Sequence, residues 1–204
     1  MRSGSKRTPW KNIADVAGKE MYLHTLDYLL QHQSLFQEII VTTDYPREIL
    51  NIPDDITYQL REERLCGDDV KTEMVIVESF PDFRDEDIVM IFQVTTPFRN
   101  QKILLDCLEY FLSLPASQRD GNSVLTVSEI HEPLWSDGND YYSRKKHVIA
   151  DGSIFIATMK FLRQWNHFIH RDACRFLNGP IGSLSSLQID TYDQYLLCTK
   201  LTNI

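Results

Sequence analysis

An α/β fold, built on a mainly parallel sheet with helices on both faces, is predicted by three features of the sequence. Helical and strand-like periods alternate along nearly the whole chain, the pattern that lays strands side by side with crossover helices between them. The run Asp87-Ile88-Val89-Met90-Ile91-Phe92-Gln93 is apolar at almost every inner position, as a central parallel strand covered on both faces should be. Finally, 204 residues without a visible linker or internal repeat suffice for a single domain with a substantial core.

The elements follow in order. Leu23, Leu26, Leu29 and Leu30 mark one face of a helix from about residue 19 to 33, and Glu38 to Thr43 is a short β-branched strand. Ile56 to Leu60 reads as a second strand, and Asp68 to Ser79 as a helix with Val70, Met74 and Val77 inward. After the Asp87–Gln93 strand comes a helix from about Gln101 to Leu114, with Ile103, Leu104, Cys107, Leu108 and Phe111 on its inner face. Ser123 to Val127 is the next strand. Residues from about 129 to 150 are polar and aromatic, with Trp135, Tyr141 and Tyr142 beside Asp137 and Gly138, and read as an excursion from the core. Ser153 to Ala157 is a strand, Lys160 to Phe168 a helix, and Tyr192 to Leu201 a closing helix offering Tyr195, Leu196 and Cys198.

Composition narrows the chemistry. The formal net charge of -8 argues against a general nucleic-acid binder. No apolar run approaches the roughly 20 residues that a membrane span requires, and no signal peptide precedes the first segment, so the chain reads as cytoplasmic with no membrane partner. Cys66, Cys107, Cys174 and Cys198 are scattered without a CxxC pair, which fits reduced thiols. His167 and His170 could share a helix face, but the six histidines make no ligand pattern.

Against this acidic background the opening dozen residues stand out. Arg2, Lys6, Arg7 and Lys11 crowd a turn containing Ser3, Gly4 and Ser5, a combination of charge, hydroxyl donors and approachable backbone N–H groups suited to a polyphosphate. A frayed basic terminus is the simpler alternative. The spacing is neither that of a P-loop nor of a G-x-G-x-x-G fingerprint. In parallel sheets ligands gather beyond the carboxyl ends of strands, which draws attention to Thr43-Asp44, Arg61 and Gln93 to Arg99. Each also has a structural reading: Asp44 as a turn cap, Arg61 as a solvated charge, and Thr95-Thr96-Pro97 as the launch of the next helix.

Taken together these segments resemble the acylneuraminate cytidylyltransferase family over nearly the whole chain. Arg2-Ser3-Gly4-Ser5-Lys6-Arg7-Thr8-Pro9-Trp10-Lys11-Asn12 fits the family's R-x-G-S-K-x-x-P-x-K-N loop. Val41 to Asp44 fits its strand-end T-D, and Leu60-Arg61 to Leu65 with Asp68 and Thr72 fits R-P-x-x-L-x-x-D. Gln93 to Arg99 fits Q-P-T-S-P-x-R, Asp151 to Phe155 fits N-G-A-I-Y, and Ile189-Asp190-Thr191 fits the end of D-I-D-T.

The resemblance implies a three-layer, Rossmann-like nucleotidyltransferase fold with a small extension. It implies transfer of CMP from CTP to the anomeric hydroxyl of a nonulosonic, sialic-type acid. By similarity, Lys11 and Arg2 are the catalytic cations, and Arg2, Ser3, Gly4, Ser5, Lys6, Asn12, Arg61 and Thr72 line the nucleotide. Gln93, Thr95, Arg144 and Asp151 face the sugar acid, and Asp190 holds Mg²⁺. The excursion corresponds to a dimerisation extension, which implies a homodimer. Asp190 has a second reading as the N-terminal cap of the closing helix.

Three departures carry expectations of their own. Gln188 stands where the family usually has an acid, leaving Asp190 as the remaining metal carboxylate. Asp151 replaces an Asn, which would repel an anionic acid unless it is protonated, paired or turned to a different substrate contact. The family's loop follows a hydrophobic central strand, so the sequence is expected to be a truncated or internally initiated form of a longer protein. A sugar nucleotidyltransferase with other preferences, or a non-catalytic nucleotide-binding descendant, remain the alternatives.

Overall fold

The computed structural model describes residues 1–4, 10–130, 147–169, 173–178, 185 and 187–202. A single 3₁₀ turn, Lys11–Ile13, leads into a two-residue hairpin, β1 (Asp15–Val16) and β2 (Lys19–Glu20). Its turn places Ala17 at φ 56° and Gly18 at φ 78°, the left-handed pair that a tight hairpin demands. Helix α1 (Met21–Gln31), β3 (Ile40–Thr43) and β4 (Thr57–Leu60) follow. Next come α2 (Thr72–Ser79), β5 (Ile88–Ile91), α3 (Gln101–Ser113) and the short α4 (Ala116–Arg119). The chain then forms β6 (Val124–Ile130), β7 (His147–Thr158), α5 (Met159–Trp165), β8 (Cys174–Leu177) and α6 (Tyr192–Thr202).

β3 and β4 pair in parallel, and a second sheet runs in the order β5-β7-β6-β8. Within it β7 is antiparallel to both β5 and β6, while β6 and β8 are parallel. The α/β class stands, with one correction: among the described residues, β5 finds its strand partner in an antiparallel neighbour rather than lying centrally in a parallel set. β6 and β7 are consecutive in the chain and pair antiparallel, whereas parallel neighbours need a crossover connection. The ends of the expected excursion are therefore sheet, with Glu129 facing Val148 and Ile130 facing His147. Its middle, including Trp135, Tyr141 and Tyr142, lies outside the described residues.

Three layers follow from the strand period. Along β5, Ile88 and Met90 pack with α1 and α3 in one core, while Val89 and Ile91 pack with α2 and α5 in the other. Along β7 the same division puts Ile154 and Ile156 on the first side and Phe155 and Ala157 on the second. The unbroken apolar runs are thus two alternating sets, each of which serves a different layer. A third, smaller cluster joins Val16 and Met21 to Ile189 and Cys198, with Phe98, Leu187 and Tyr195 against it.

The bounds of α1, α3 and α6 hold closely, while α5 ends at Trp165 rather than Phe168 and α2 departs in both start and inward face. α2 begins at Thr72 rather than Asp68, Lys71 occupies its N-cap position, and the buried residues are Val75 and Ile76 while Met74 is exposed. Starting the helix one turn later rotates the inward stripe. Strand β8 was not expected from the sequence: it is four residues long, and only Cys174 and Phe176 pack inward. Such a short, half-wet segment carries little period to read.

The chain's start lies beside β3, where the Met1 amino group donates to the Thr42 carbonyl at 2.7 Å and the Met1 side chain packs against the first core. Burial, assisted by the nearby Arg61 guanidinium, pushes this ammonium down from 8.0 to about 5, with Asp44 opposing. Where the polypeptide begins at Met1, the unfolded chain between those values binds a proton that the folded chain refuses, so this group makes stability rise with pH through the window from about 5 to 8. In a polypeptide beginning at Met1, melting temperature is expected to climb across that window, and acetylation of the amine is expected to flatten the climb. Identical pH profiles for the free and acetylated chains would refute this.

Candidate active site

Several of the expected residues lie just beyond β3, β4 and β5. Asp44, just past β3, accepts from both the amide and the hydroxyl of Ser3 at 2.7 Å. It is therefore a tether for the opening loop, beyond the turn cap that the sequence also allowed. Asn12, buried, closes the other end of that loop by donating from Nδ2 to the Arg2 carbonyl at 2.8 Å. Arg2 reaches the Asp68 carboxylate at 2.5 Å and the Cys66 carbonyl at 3.4 Å. Gly4 has open space where a side chain would stand. Ser5, Lys6 and Arg7 lie outside the described residues.

Arg61 follows β4 and is more than a solvated charge. Its amide donates to the Thr43 carbonyl at 2.7 Å and its guanidinium to the Thr42 carbonyl at 3.2 Å, while its Nε is buried without a partner. Burial pushes its pKa down, and Arg2 adds to that. An under-satisfied buried guanidinium favours the arrival of an anion that can accept the spare N–H. Thr72 is exposed on the first turn of α2.

Trp10 sits in the left-handed region at φ 59°, with its ring 59% exposed and 6.1 Å from that of Tyr45. The turn it makes delivers Lys11, whose side chain is 11% exposed, to the Asp190 carboxylate at 2.9 Å. Asp190 arrives from the opposite end of the chain. The Ile189 amide donates to the Thr95 carbonyl at 2.8 Å, which fixes the segment on the loop beyond β5. The Gln194 side chain accepts from the amides of Asp190 and Thr191 at 2.8 and 2.9 Å, and the Gln194 amide donates to the Thr191 hydroxyl at 3.3 Å. This reciprocal capping box makes Thr191 the cap of α6. The capping reading of Asp190 is thus corrected, and its carboxylate is spared for the cation.

Beyond β5, Gln93 lies across Gly152, where φ is 71° and an added Cβ would come within 2.3 Å of Gln93 Oε1. The Gln93 amide donates to the Gly152 carbonyl at 3.2 Å. Arg99, which the sequence did not single out beyond its motif, holds this loop from inside. Its guanidinium donates to the carbonyls of Gln93 and Ser153 and to the Thr25 hydroxyl. Burial lowers its pKa to about 10, with Tyr28 and Asp151 acting against the fall.

Asp151 is placed differently from the expectation. Its carboxylate is buried and accepts from the Thr126 hydroxyl at 2.6 Å, the Ser128 hydroxyl at 3.1 Å and the Ser153 amide at 2.9 Å. Both oxygens are engaged by the β6–β7 scaffold, the paired arrangement that the sequence allows for. Only its carbonyl, which accepts from Thr96 at 3.1 Å, touches the loop beyond β5. Arg144 lies outside the described residues.

Among the described residues no group of three or more His, Cys, Asp or Glu could hold a metal ion. Asp190 supplies a single hard oxygen donor that already attracts a cation. That fits Mg²⁺, which commonly takes one or two carboxylates and completes its shell with substrate phosphates and water.

The family model described as cytidylyltransferase matches residues 1–162. The chain is 29% identical to a CMP-N,N'-diacetyllegionaminic acid synthase of Legionella pneumophila, with 100% of this chain and 94% of that protein covered. It is 28% identical to an N-acylneuraminate cytidylyltransferase of Streptococcus agalactiae, with 96% of this chain covered but only 50% of that longer protein. Among solved structures, a CMP:2-keto-3-deoxy-manno-octonic acid synthetase complexed with CTP superposes with a TM-score of 0.68 at 16% identity, covering 100% of this chain and 95% of the other. A 4-diphosphocytidyl-2C-methyl-D-erythritol synthase from Anaerococcus prevotii gives 0.64 at 12% identity, covering 95% and 93%. At those identities the structural likeness is one of fold. The family match spans well over half of the chain, and the chain belongs to the cytidylyltransferase family.

Proposed function

We propose that this protein transfers CMP from CTP to the anomeric hydroxyl of a nonulosonic, sialic-type sugar acid. The hydroxyl oxygen forms a bond to the α-phosphorus, the bond from that phosphorus to the bridging β-oxygen breaks, and pyrophosphate leaves as the hydroxyl proton passes to solvent. The observation that carries this reading is the pairing of Lys11 with Asp190 at the edge where the loops beyond the strands converge. Names of relatives that activate legionaminic, neuraminic and pseudaminic acids support the substrate class.

In this reading the opening loop cradles the triphosphate, Arg61 offers its spare N–H to the nucleotide side, and Lys11 meets charge developing at the α-phosphate. Phosphoryl-type transfer asks for positioning and neutralisation rather than covalent chemistry, which such a loop can supply. Mg²⁺, held by Asp190, would neutralise phosphate oxygens. Gln93, fixed by Gly152 and Arg99, faces the sugar acid with Thr95 beside it. Exposed Val148 and Ile149 on the β6–β7 arm suit a homodimer contact, and the need for CTP suits a cytoplasmic setting. The single carboxylate beside Gln188 also favours a second reading, a descendant that binds nucleotide without turnover.

Pyrophosphate release separates these readings when CTP, UTP and GTP are crossed with sialic, legionaminic, pseudaminic and 3-deoxy-octulosonic acids. Turnover is expected with CTP and at least one nine-carbon acid; CTP binding with no release across the panel would establish the second reading. Lys11→Ala is expected to lower kcat by about 10²–10³ while the circular dichroism spectrum is retained, and near-normal kcat would remove Lys11 from its role. Gly152→Ala is expected to dislodge Gln93, raising KM for the acid several-fold with little change in that for CTP. An unchanged KM for the acid would mean that Gln93 does not face it.

A further inference from the structure

The Lys11–Asp190 pair sets up an exclusion. The Lys11 ammonium and the Asp190 Oδ1 atom are 2.9 Å apart, and the lysine stem is nearly enclosed. Each backbone is fixed separately, Lys11 by the turn after Trp10 and Asp190 by Thr95 and the capping box. The neighbouring side chain at 188 is an uncharged Gln, and no cluster of acids surrounds the pair among the described residues. One ammonium therefore occupies the Oδ1 atom of the carboxylate that a divalent ion would use, and that carboxylate restrains the ammonium that a phosphate would use.

We infer that Lys11 is a resident stand-in for the divalent cation at Asp190, so that nucleotide and metal each favour the other's entry. A triphosphate drawing Lys11 away uncovers Asp190; a metal on Asp190 releases Lys11 toward the phosphates. The two ligands then favour one another, and the effect must be reciprocal because binding free energies are linked. Charge-assisted contacts of this kind are among the stronger hydrogen bonds. The ligand-free protein is thereby a poor metal binder, and the nucleotide is needed to complete the site. This inference rests on the assignment of the opening loop to the triphosphate of CTP.

Two binding measurements without turnover test it at 0.15 M salt, where diffuse charge effects are screened beyond about 8 Å. In the first, Mn²⁺ alone is titrated and the free ion followed by electron paramagnetic resonance. Lys11→Met is expected to bind Mn²⁺ at least about fivefold tighter than the native protein, within the usual range of site coupling, and Lys11→Arg is expected to restore weak binding. In the second, CTP is titrated calorimetrically in EDTA. Asp190→Asn is expected to tighten metal-free CTP by a similar factor, and this gain is expected to vanish in the Lys11→Met background.

Unchanged Mn²⁺ affinity in Lys11→Met, or a CTP gain in Asp190→Asn that persists without Lys11, would overturn the inference, the latter by showing plain repulsion. Native protein that binds CTP neither with nor without Mg²⁺ would overturn the nucleotide assignment itself and the inference with it. Circular dichroism of each variant confirms that the comparison is between folded proteins.

Discussion

The loop beyond β5 depends on one buried cation. Arg99 is enclosed among backbone carbonyls, a threonine hydroxyl, and the rings of Tyr28 and Phe92, whose centroids lie 5.9 and 5.7 Å from its guanidinium carbon. It binds the turn after β5 to β7 on one side and to α1 on the other. Enclosing a charge without a carboxylate in contact is costly, and here the cost is met by fixed dipoles, by aromatic faces and by the longer-range field of Asp151. Because the Gln93 carbonyl is among its partners, the same cation that secures the fold sets where the loop's side chains point. Packing and site geometry are one arrangement at this position.

Asp151 and Gly152 extend that arrangement. The acid satisfies two hydroxyls on β6 and its own strand's amide, which pins β7 where it bends toward the site. The next residue, free of a Cβ, lets Gln93 lie flat against the strand. A buried carboxylate surrounded by donors and a glycine with positive φ within the strand thus work as neighbours, one holding the strand and the other making room above it.

How much of this the sequence reveals depends on whether a residue's partners are near it or implied by a period. β5 is legible because both of its faces are apolar, and α3 because Ile103, Leu104, Cys107 and Phe111 repeat at helical spacing. Lys11 and Asp190 are legible as candidates, but their contact spans 179 positions and no local signal announces it. The partners of Asp151 are hidden for the same reason, since Thr126 and Ser128 sit 25 and 23 residues away on another strand. Arg99 escapes notice because two of its partners are backbone carbonyls, which carry no sequence identity at all. The capping box at Thr191 and Gln194 is a local pattern and could have been found, which would have released Asp190 from the capping role at once.

The small cluster of Val16, Met21, Ile189 and Cys198 has a consequence for how the molecule fails on heating. It lies apart from the two larger cores and flanks both halves of the Lys11–Asp190 pair, with Val16 a few residues after the lysine and Ile189 beside the aspartate. A satellite of that size opens at lower free energy than a core sheet, because few buried contacts must be broken. The site can come apart while β5, β6 and β7 remain folded, so inactivation and melting are separate events with separate midpoints.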